Sequence, residues 1–76
     1  MNEWTNQAGQ PITPEMTEAA LAAAQEQGEA VSDEAVRAVL DVGLPYSMRS
    51  VPSAAEAAGI AEWLADLMLD AAIAAI

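Results

Sequence analysis

Residues 53–76 run SAAEAAGIAEWLADLMLDAAIAAI, from Ser53 to Ile76, a stretch in which only Glu56, Glu62, Asp66 and Asp70 carry charge. Ser53-Ala54-Ala55-Glu56 fits the capping box, in which a serine accepts from the amide three residues on and the glutamate reaches back. A third helix over about 54–75 follows from it. Ile60, Leu64, Leu67 and Ala71 fall at alternating spacings of four and three, the seam of a helix that packs lengthwise. Trp63, Met68, Leu69, Ile73 and Ile76 widen the apolar surface beyond that seam, leaving Glu62, Asp66 and Asp70, four apart, as a narrow polar stripe. Gly59 inside such a helix costs about 1 kcal/mol relative to alanine unless a neighbouring helix approaches there. A helix apolar around most of its circumference must be covered on several sides. The expectation is therefore a contact between molecules, made through Trp63, Leu67, Met68, Leu69 and Ile73.

Upstream, Thr13-Pro14-Glu15 is a helix start. It supplies an oxygen for the free amides, a proline where no donor is needed, and a carboxylate at the positive end of the dipole. Helix 1 is expected over about 14–27, stopped by Gly28 in the left-handed conformation. Ser32 caps helix 2, about 33–42, with Val31 placed to pack on Val36 and with Val36, Val39 and Leu40 as its inward stripe. Gly43 and Pro45 end it, and residues 43–52 read as a loop. Residues 1–12 mix Asn, Gln, Gly and Pro without a period. They read as an irregular arm on which Trp4 and Ile12 are able to dock. The fold expected is all-α: one small three-helix domain over 13–76, helices 1 and 2 lying across one side of helix 3, preceded by the arm.

A chain of 76 residues builds one small domain with a thin core. Of its apolar residues 19 are alanine, which adds helix propensity and little buried area, and there is no cysteine for a disulfide. Twelve Asp and Glu stand against Arg37 and Arg49, with no lysine and no histidine, for a net charge of −10. Such a surface repels phosphate backbones and anionic membranes and attracts basic protein surfaces, so direct binding of nucleic acid or membrane is not expected. Charge also argues against a membrane span, because Glu62, Asp66 and Asp70 interrupt the one long apolar stretch at a cost of about 2.5–3.5 kcal/mol each. The residues from Met1 to Trp4 include no basic side chain, and no apolar run of a secretory signal follows. A cytoplasmic location is expected.

Catalysis lacks its usual parts. Triads need His or Cys, lysine chemistry needs Lys, and helical di-iron sites need Glu-x-x-His pairs; none of these is encoded. Paired carboxylates remain, but they need a pocket that a small alanine-rich bundle has little volume to form. No Gly-rich phosphate loop is present. The expectation is a non-enzymatic protein without cofactor or metal.

Binding candidates are the two acidic strips, Glu62, Asp66 and Asp70 on helix 3 and Glu15, Glu18 and Glu26 on helix 1, continued by Glu29. If they share a face they imitate a phosphate array; otherwise each is a solvated helix side. Tyr46, Met48 and Arg49 join them, as loop residues of types favoured at interfaces. The expected function is that of an acidic inhibitor or adaptor occupying a basic, nucleic-acid-binding surface of a partner protein. In size and charge the chain is similar to small phage-encoded anti-restriction and anti-CRISPR inhibitors, which implies a viral, nucleic-acid-mimicking role. The alternative is a structural or assembly subunit that self-associates or docks through apolar helix 3.

Overall fold

Thr13, Ser32 and two glycines frame the helices. The computed structural model describes residues 3–44 and 51–76. The Thr13 hydroxyl accepts from the Met16 amide at 3.2 Å, so α1 (Pro14–Glu26) begins with Pro14 at its first position. The Met16 sulfur lies 3.5 Å from the Thr13 amide, taking the place of the glutamate in a capping box. At the far end Gly28 adopts φ +73°, while the Gly28 and Glu29 amides donate to the Gln25 and Ala24 carbonyls at 2.9 and 3.1 Å. That is a Schellman stop. α2 (Asp33–Gly43) starts on Ser32, whose hydroxyl accepts from the Ala35 amide at 3.1 Å. It buries the expected stripe of Val36, Val39 and Leu40.

The all-α class holds, but the long third helix is two. α3 (Val51–Ala58) and α4 (Glu62–Ala74) part at Gly59, which adopts φ +70°. The Gly59 and Ile60 amides donate to the Glu56 and Ala55 carbonyls at 3.2 and 3.0 Å, repeating the stop at Gly28. A Cβ at Gly59 would meet nothing within 4 Å, so the glycine serves its backbone conformation and not a close helix approach. The reason for the break is coverage. A straight helix over 54–75 would be about 33 Å long at 1.5 Å per residue, against a longest molecular extent of 29 Å. Broken, the chain lays α3 chiefly on α2 and α4 chiefly on α1. α3 also begins before Ser53, which makes that serine a helical residue and not the cap expected of it.

α4 starts on Ala61, which is extended and offers no side-chain hydrogen bond to the first turn. Ala61→Ser is expected to raise stability by about 1 kcal/mol, read as a melting temperature higher by roughly 4–8 °C. An unchanged or lower melting temperature would contradict the assigned helix start.

The arm is a small hairpin. β1 (Trp4–Thr5) pairs antiparallel with β2 (Pro11–Ile12), Trp4 opposite Ile12. The turn closes with the Gly9 amide on the Asn6 carbonyl at 3.0 Å, Gly9 standing at φ +85°. Ile12 is fully buried, and Trp4 is half-buried with the Arg37 guanidinium 4.3 Å from its ring centroid, a cation–π contact. Asn6, also buried, bolts the hairpin to the end of α2. Its amide group donates to the Leu40 and Leu44 carbonyls at 2.9 and 3.0 Å, and its side-chain oxygen accepts from the Ala8 and Gln10 amides at 3.1 and 2.8 Å. Beside it the Gln7 amide and side chain both donate to the Asp41 carboxylate, at 2.9 and 2.7 Å.

A single core joins these parts: Ile12 of the hairpin, Met16, Ala20 and Ala24 of α1, the α2 stripe, Ala54 and Ala55 of α3, and Leu64, Ala65, Met68, Leu69 and Ala72 of α4. Alanine on both sides of the α1–α4 contact permits close approach of the two backbones. The closest fit is elsewhere: Gly43, in the last turn of α2, faces the end of the Leu69 side chain, which would come within 2.7 Å of a Cβ there.

Candidate interaction surface

α4 sorts its chemistry by ridge. Side chains four apart stack into rows along a helix, and each row of α4 has its own character. Leu64, Met68 and Ala72 are fully or nearly fully buried, as are Ala65 and Leu69 of the next row, where Ile73 is half-buried. The remaining two rows turn outward. One carries Glu62, Asp66, Asp70 and Ala74, exposed except for half-buried Asp66; the other carries Trp63, Leu67 and Ala71. Trp63 is 54% exposed and is, with Ile76, one of two large apolar side chains so displayed among the described residues. An acidic ridge therefore lies directly beside an aromatic and apolar one. Asp66 and Asp70 each also make an interaction within the chain.

This placement revises the expected self-association set. Met68 and Leu69 are fully enclosed by the chain itself, because α1 covers the side of α4 that they occupy. They offer nothing to a second molecule in this fold. Leu67 and Ile73 are half-buried and Trp63 is exposed.

Glu15, Glu18 and Glu26 are exposed on the side of α1 opposite Met16, Ala20 and Ala24, and Glu29 is half-buried beyond the helix end. Because α1 and α4 pack through their buried rows, each acidic strip lies on the outward side of its own helix. The two do not merge into one flat array. Tyr46, Met48 and Arg49 fall outside the described residues. Among the described residues no three carboxylates converge in a way able to hold a metal ion, and no helix is long and apolar enough to cross a membrane.

Two contacts gave no signal in the chain's periodicity: the Asn6 clamp and the Arg37–Trp4 stack. Asn6 followed by Gly9 is a turn pattern, but the carbonyls it binds lie 34 and 38 positions away. Both contacts hold the hairpin in place, and neither presents a group to a ligand. Compared with protein-family models, characterised proteins and solved structures, the chain matches none.

Proposed function

We propose that this is a non-enzymatic acidic binding module, an inhibitor or adaptor that works in the cytoplasm by occupying a basic surface of a partner protein. That surface is one that otherwise holds nucleic acid, as with the partners of small phage anti-defence inhibitors. The observation that carries the reading is the outward display of Glu15, Glu18, Glu26 and Glu62 on a chain of net charge −10. Of its two cations Arg37 is engaged on the Trp4 ring. A field of this sign steers basic surfaces into contact and rejects acidic ones.

Affinity capture on the immobilised protein, eluted in salt steps from about 50 to 500 mM, tests the reading. Screening at those concentrations shortens the Debye length from over 10 Å to under 5 Å. Retained partners should be basic and should elute within that range. The variant with Glu15, Glu18 and Glu26 all changed to Gln should release them at markedly lower salt. Partners retained equally at every ionic strength would defeat the electrostatic mechanism.

The exposed ring of Trp63 also favours a second reading, an assembly subunit docking through α4. Burial of Met68 and Leu69 within the chain narrows the surface left for it.

A further inference from the structure

We infer that the paired outward ridges of α4 are the docking site for a basic amphipathic helix of the partner protein, anchored on Trp63. This rests on the acidic-module reading above and assigns its contact to one place. Trp63, Leu67 and Ala71 form a row about 12 Å long at 1.5 Å per residue, the length of two turns of an apposed helix. Trp is the residue type most enriched among the side chains that dominate binding energy, and an aromatic left half in water has area to gain on contact.

The flanking row decides what kind of partner fits. Glu62 runs alongside Trp63, and Asp66 and Asp70 extend the same edge, so an occupant's apolar stripe needs Lys or Arg four apart along one side of it. Asp66 and Asp70 also have interactions within the chain. Selection of a cationic partner therefore draws on Glu62 and on the field of the whole molecule, whose net charge is −10.

A second copy of this chain fits badly. A two-fold contact repeats the same patch on both sides, so the Glu62 row of each copy would lie against the other within one Debye length, about 8 Å in physiological salt. Like charges facing each other across a contact oppose association. One-sided charge also fixes direction: a helix laid along the ridges places its cations on the acidic side in one polarity and away from it in the other.

The experiment titrates the isotopically labelled full chain with a synthetic helical peptide bearing a leucine row and an adjacent lysine row at four-residue spacing. Two control peptides replace the lysines by glutamate or the leucines by serine. Expected are shifts of the Trp63 indole N–H and of the amides of residues 62–71, with affinity at least tenfold weaker for each control. Trp63→Ala should weaken the lysine peptide by at least tenfold. Because the mapping uses the unmodified chain, poor folding of that variant would leave the result readable. Shifts centred on 15–26 would place the contact on α1, overturning this inference while the acidic-module reading stands. Absence of any shift while basic partners are still retained in a salt-dependent way would do the same. Sedimentation showing a dimer of the unmodified chain that Trp63→Ala dissociates would give the face to a second copy, and would overturn it too.

Discussion

Replacing Asn6 by Asp should destabilise the protein by about 3–5 kcal/mol, the scale for a buried charge left without a partner. The two side chains have nearly the same shape, so packing is unchanged and the loss isolates hydrogen bonding and charge. Asparagine gives two donors to the Leu40 and Leu44 carbonyls and takes two from the Ala8 and Gln10 amides. A carboxylate keeps the second pair and loses the first. It also sets negative charge against two carbonyl oxygens at the negative end of the α2 dipole, in a site only 5% exposed. Total stability for a domain of this size is about 4–11 kcal/mol at the usual value per residue, so the variant stands near the limit of folding. Asn6→Ala, which leaves the same groups unsatisfied without adding charge, should cost less, about 2–3 kcal/mol.

Sign and pH separate the two. The introduced carboxyl is held protonated more readily in the folded chain, where a proton restores one donor, than in the unfolded chain. Its folded-state pKa is therefore raised, and the penalty is full above that value and shrinks as pH falls toward about 4, the ordinary Asp value. Urea unfolding followed by circular dichroism, with the original chain measured at each pH, should show the gap for Asn6→Asp narrowing in acid and that for Asn6→Ala constant. Equal unfolding midpoints for Asn6→Asp and the original chain would remove the clamp from the account.

The pair Gly43 and Leu69 gives the second large effect. Leu69→Ala empties a fully buried position and should cost about 2–5 kcal/mol. Gly43→Ala forces a methyl to within 2.7 Å of the Leu69 side-chain carbons, and overpacking of that kind costs about 1–3 kcal/mol even though alanine favours the helix. Leu69 has no exposed direction into which to turn. Combined, the two changes relieve one another, because the added methyl enters space the leucine has left. A double-mutant cycle should give a combined loss at least 1 kcal/mol smaller than the sum of the single losses, within the range for residues in contact. Strict additivity would mean that α2 and α4 do not meet there.

What the chain's pattern made legible was local. Thr13, Ser32 and Gly28 start and stop their helices by hydrogen bonds reaching no more than five residues, and the α2 stripe repeats with the helical period, so each is visible without knowledge of the rest. Gly59 shows where locality ends. As a helix interior residue it costs about 1 kcal/mol, little enough for either a continuous or a broken helix. The outcome turns on how α1 and α2 cover the apolar rows beyond it. Strands of two residues have no period to detect, and the carbonyls held by Asn6 are distant in sequence. The candidate surface was half legible for a related reason. The pattern of 62–74 shows that α4 is apolar nearly all round, but only packing determines that Met68 and Leu69 go inward while Trp63 stays out.

The pairing of α1 with α4 and of α2 with α3 is nested, with the inner partners adjacent in sequence and the outer ones far apart. Such an order suits rapid folding. Once α2 and α3 have docked, the chain that must close to bring α1 onto α4 is effectively shortened, and the entropy of closing it falls. The turn at Gly59 thus determines a sequence of events in time: by directing α4 back toward α1 it makes the last helix to dock the one that carries the outward tryptophan.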